Sequence, residues 1–167
     1  MARPAPEAIA LFKEGKVDAF IGIPPEPQDI RASRVAHVLL DTGVDRPWSQ
    51  YFCCMVSANR DFHRSYPVAT KRAVRAILKA ADVCSIDPDG AARLLVGRGY
   101  TPSYEYARET LRHIAYRAWR DFDPEDALRF YALRLREAGL IRSNPNKLVA
   151  EGADWRILKE LRNELKV

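Results

Sequence analysis

The chain has few of the features that usually announce a function. No apolar run approaches the roughly 20 residues that a membrane-spanning helix needs. The opening residues, MARPAPEA, hold no apolar stretch, so no secretory signal is expected in this sequence. Three cysteines, Cys53, Cys54 and Cys84, are too few and too poorly spaced for a disulfide framework. No C-x-x-C pair offers zinc a site. His37, His63 and His113 stand far apart, with no pair at metal-ligand spacing. A Gly-rich phosphate loop, a Ser/His/Asp set and a spaced carboxylate pair are all missing, so neither a metal, a cofactor nor a catalytic group is expected.

What is there is globular. The 167 residues suit one domain, with 47% apolar and 29% charged residues. The net charge of +5 favours an acidic partner, but the cations are scattered and form no block. The row Lys71, Arg72, Arg75 and Lys79 could grip a phosphate backbone or could be a solvated helix face; the lack of interleaved exposed aromatics favours the solvated face.

The patterning changes near residue 60. Before it, strand signals alternate with helix signals. PEAIALFKEG is a short helix stopped by Gly15, and PEPQDIRASR is a short helix or a turn. VDAFIGI (17–23), RVAHVLLD (34–41) and YFCCMVSAN (51–59) are compact apolar runs bounded by breakers, which predicts three strands with parallel pairing and a right-handed crossover. After residue 60 the chain is predicted to be helical. Val74, Ile77, Leu78 and Ala81 share one face, Asp87–Pro88 opens a further helix, and Asp123, Pro124 and Gly139 bracket another. NPNKLVAEG and DWRILKELRNEL close the chain as amphipathic helices. The expected fold class is therefore α/β, a small mixed sheet with many helices and a helix-rich carboxyl-terminal two thirds. Three short strands leave sheet edges unpaired, which points to missing companion strands or to a homodimer.

Two segments could form a ligand rim. GIPPEP ends a predicted strand on Pro24, Pro25 and Glu26, and ligands of open α/β sheets bind beyond the carboxyl ends of strands. The competing reading is an ordinary turn whose prolines end pairing. RPWSQYFCCMV offers Trp48, Gln50, Tyr51 and Phe52, aromatic faces with hydrogen-bonding groups, as pocket lining or as core. Cys53 and Cys54 lack an evident activating neighbour and read as structural thiols.

In order, GKVDAFIGIPPEP, RVAHVLLD, YFCCMVSANRDFHRSYPVATKRAVRAILKAAD, DFDPEDALRFYALRLREAGLI and GADWRILKELRNELK resemble the carboxyl-terminal half of periplasmic substrate-binding proteins of ABC importers. The branch they resemble is the nitrate/sulfonate/taurine type, which includes the thiamine-pyrimidine-precursor proteins. The resemblance implies part of a type II periplasmic-binding-protein fold. Residues 1–47 would belong to the second lobe, 48–59 to an inter-lobe crossing strand, and 60–167 to a helical part packed on the first lobe. It further implies a small-molecule solute held by Pro24, Pro25, Glu26, Gln50, Tyr51 and Phe52, hinge closure, a membrane permease as partner, a periplasmic location, and neither catalysis nor nucleic acid. Two other functions stay open: a thiamine-pyrimidine precursor synthase-like protein using Cys53, Cys54 or His63, and a basic helical nucleic-acid-binding module.

Overall fold

A computed structural model describes residues 5–24, 26–52 and 54–165. Nine α-helices run in chain order among them. These are α1 (Ala5–Lys13), α2 (Glu26–Ala32), α3 (Arg60–Ser65), α4 (Pro67–Ile86), α5 (Pro88–Gly97), α6 (Tyr104–His113), α7 (Pro124–Glu137), α8 (Pro145–Gly152) and α9 (Arg156–Glu164). Two 3-10 turns, Trp48–Gln50 and Tyr116–Arg120, complete the regular structure.

The helix boundaries follow from capping chemistry. Asp123 Oδ1 accepts the N–H groups of Glu125 and Asp126, and Pro124 fills the first position, where no N–H is needed. Asp87 caps α5 by accepting the Gly90 N–H, Ser103 caps α6 and Asn144 caps α8. At the other ends, Gly15, Gly99 and Gly139 take the left-handed conformation, with φ of 69°, 72° and 71°. A side chain there would meet its own carbonyl, so glycine ends these helices at little cost.

The expected α/β fold is overturned. Among the described residues there is no strand and so no sheet, and the type II binding-protein architecture with its parallel pairing is not formed. The described residues of the three strand-like runs are irregular instead, and several of their apolar side chains stay in solvent: Ile21 is 93% exposed and Leu39 76%. The physical reason is lateral. A strand is held by ladder hydrogen bonds to a neighbour, and an apolar run without a neighbour has nothing to bury against. Helices close their bonds internally, so the helical expectations survive where the strand expectations do not. On α4, Leu78 is buried and Val74 and Ala81 half-buried, while Ile77 remains exposed.

The chain forms two compact units, residues 1–40 with 87–114, and residues 41–86 with 115–167. In the first, α5 packs on α6 and α2 on α6. Its core is small: Ile30, Ala91, Ala92, Ala107 and Leu111 are buried. Alanines at the α5–α6 seam let the backbones approach closely, and Arg112 Nη2 holds the Asp89 carboxylate across it at 3.0 Å. Gly22 has a steric reason to lack a side chain, since a Cβ there would lie 2.9 Å from Pro27 Cγ.

In the second unit, α7 packs on α8, and α4 packs on α3, α9 and the turn Tyr116–Arg120. Leu161 on α9 is fully buried, with Ala127, Ala132 and Val149 also inside. Arg120 meets Asp82 through two hydrogen bonds, and Arg162 donates to the carbonyls of Trp119 and Phe122. These guanidinium groups close the turn onto α4 and α9 at once.

Leu161→Ala should lower the unfolding free energy by about 2–5 kcal/mol, through lost apolar burial and the void left behind. Urea unfolding followed by circular dichroism checks it; a loss under about 1 kcal/mol would show that α9 is not packed as described.

Candidate functional site

The Trp48–Gln50 turn places its neighbours against α7. The Tyr51 ring stacks on Phe130, with centroids 3.9 Å apart and planes 9° from parallel. Trp48 meets the same Phe130 edge-on at 5.7 Å, and Tyr131 contacts it at 5.3 Å. Arg134 lies over the Phe130 ring at 5.8 Å, one turn further along the helix. Phe52 sits edge-on to Phe122 at 5.4 Å. Trp48, Tyr51 and Phe52 are half-buried, while Gln50 is exposed. Such an array presents apolar ring surface beside one amide and one phenol. It suits a small, weakly polar or planar solute, held by stacking and a few hydrogen bonds.

Pro24 and Glu26 belong to the first unit. Pro24 stands in an exposed turn, and Pro25 lies outside the described residues. Glu26 opens α2, half-buried, and its Oε2 accepts the Ile23 N–H at 3.1 Å. The Glu26 N–H in turn donates to the Ile23 carbonyl at 3.1 Å. The carboxylate thus holds the turn that enters α2. Pro24 and Glu26 are in one unit, and Gln50, Tyr51 and Phe52 are together in the other.

The sequence reading missed the α7 partners. LRFYALRL reads as an ordinary amphipathic helix, and nothing in its spacing ties Phe130 to residues 79 positions earlier. It also missed the pair of His63 and Asp154. The imidazole Nε2 donates to Asp154 Oδ2 at 3.0 Å, across 91 residues of sequence. Arg60 on the same helix donates to the Glu151 carbonyl at 3.2 Å, so α3 is fastened twice to the end of α8 and the link after it. Arg156 also binds Asp154 through its side chain and backbone N–H. Arg156 first, and His63 second, hold the Asp154 carboxyl well below the ordinary carboxylate range.

The groups proposed for catalysis are not gathered. Cys53 lies outside the described residues, Cys54 is exposed, and the half-buried Cys84 thiol is pushed up by burial, away from the reactive thiolate. Among the described residues no group of three His, Cys, Asp or Glu side chains could hold a metal ion. In the basic row of α4, Lys71 Nζ binds Glu164 at 2.6 Å and also reaches Glu160, while Arg75 pairs with Glu164. Two of the four cations are therefore directed at α9, and Arg72 and Lys79 remain exposed.

A family model described as the NMT1-like family matches residues 1–96, more than half of the chain. That family consists mostly of ABC-type solute-binding proteins, which are not enzymes. No curated protein and no solved structure matches the chain.

Asp82 and Asp154 both bind protons less readily folded than unfolded, Asp82 because Arg120 bonds its carboxylate and Asp154 because Arg156 does. Depressed folded values mean that their stabilisation is complete above about pH 4 and is lost as pH falls through those values. The urea midpoint should therefore drop on acidification below about pH 4, and Asp82→Asn should flatten that limb. An unchanged acid limb in Asp82→Asn would show that the Arg120 pairing adds nothing.

Proposed function

The chain belongs to the NMT1-like family, and on that premise we propose that it serves as a solute-binding component of an ABC-type import system, outside the cytoplasm, with a membrane permease as its partner. The observation that carries this reading is the extent of the family match, residues 1–96, which takes in both Pro24–Glu26 and Gln50–Phe52. The residues proposed to contact the solute are Pro24, Pro25, Glu26, Gln50, Tyr51 and Phe52. Residues 1–47 and the segment 48–59 carry those contacts, and 60–167 supports them.

The roles divide by chemistry. Tyr51, backed by its stack on Phe130, offers a ring face that needs no further ordering when the solute arrives. Gln50 supplies an exposed amide with donor and acceptor atoms. Glu26 shapes the rim through the Ile23 N–H and adds one carboxylate. Pro24 restricts the backbone of the turn before it. The solute is a small molecule of the range set by nitrate, alkanesulfonates, taurine or an aminopyrimidine.

Isothermal titration of the chain with nitrate, taurine, a linear alkanesulfonate and an aminopyrimidine tests the proposal. At least one should bind saturably, and Tyr51→Ala should weaken it about three- to tenfold, the worth of one aromatic contact. No saturable heat from any of the four, or unchanged binding in Tyr51→Ala, would overturn it.

A further inference from the structure

The short helix α2 buries a polar side chain that nothing satisfies. Gln28 is 3% exposed, and its Oε1 is sealed from solvent without accepting a hydrogen bond. Taking an amide oxygen out of water is unfavourable unless a bond replaces the water. On α6, against which α2 packs, the Thr110 hydroxyl oxygen is sealed and unpartnered as well. Each helix of the pair thus brings one unmet polar group, and stable seams hold few of these.

Little opposes that deficit. Ile30 is buried, but the ion pair from Arg31 to Glu109 on α6, at 3.2 Å, joins side chains 47% and 46% exposed, where such pairs contribute little. Seven residues do not make a helix that stands alone, since isolated helices under about 12–15 residues are marginal in water. The end of α2 is strained too. Where α1, α5 and α7 stop on left-handed glycines, α2 is followed by Arg34 in that conformation, at φ 55°, which a side chain resists. The neighbour is better fixed: Ser103 caps α6, Ala107 and Leu111 are buried, and Arg112 binds Asp89 of α5.

We infer that α2 is a latch that lifts from α6 within the folded protein, carrying Glu26 with it, while α5 and α6 stay paired. Lifting gives water to the Gln28 amide and the Thr110 hydroxyl and frees Arg34 from its left-handed backbone. It gives up the cover over Ile30 and one exposed ion pair. Opening and closing do not depend on solute binding.

Amide hydrogen exchange of the full chain, followed residue by residue by NMR, tests the latch. The Ile30, Arg31 and Ala32 amides should exchange at least about tenfold faster than those of Leu111 and Arg112 on α6. Gln28→Met keeps the bulk of the side chain and removes the unmet amide, so it should slow exchange in α2 about three- to tenfold. Thr110→Val makes the same test from the other side of the seam without altering α2, and should slow it by a similar factor. A helix that merely frays would respond to neither. Exchange in α2 as slow as in α6 overturns the proposal, and so does either variant that leaves α2 exchange unchanged or faster.

Discussion

Every polar group of a backbone must find a partner, and the two ways of finding one differ in reach. A helix supplies its partners from within, four residues away, so it can form wherever a cap and a favourable face allow. An extended segment has to borrow them from another segment at its side. This one constraint orders the molecule described here. Among the described residues, helices close on caps such as Asp87 and Asp123 and on left-handed glycines such as Gly15 and Gly139. Between them, runs rich in isoleucine, valine and leucine stay irregular, with side chains such as Ile21 and Leu39 exposed.

That division explains what the sequence could and could not disclose. Helix ends were legible because a cap is local: Asp123 and Pro124 are adjacent, and their carboxylate and ring act within three residues. The segment 17–23 looked like a buried strand because its composition suits burial, yet composition says nothing about whether a neighbour is present to bury it. Among the rim candidates, Tyr51 and Phe52 could be named from the sequence, since aromatic residues beside a turn are conspicuous. Their partners Phe130 and Phe122 could not, because tertiary contact leaves no periodic trace. The same holds for His63 and Asp154, which meet across 91 residues. Glu26 was legible as a carboxylate beside the prolines, but its bond to the Ile23 N–H, which holds the local turn, was not.

The aromatic group around Phe130 illustrates how a helical unit can gather ring surface without a sheet. Tyr51 and Trp48 arrive from a short 3-10 turn and lie on one ring of α7, one flat and one edge-on. Each ring is held by another, which limits the conformations open to Trp48 and Tyr51.

The attachment of α9 has a further consequence. Lys71 and Arg75 on α4 face Glu160 and Glu164 on α9, and these side chains are partly open to solvent. Ions in solution compete for such pairs, because charges of this kind are shielded over about 10 Å at 0.1 M salt and about 3 Å at 1 M. In brine the carboxyl-terminal helix is left to hang on Leu161 and the Arg162 guanidinium, whereas in dilute buffer four charges help to clasp it. The hold on that end of the chain is therefore graded by ionic strength.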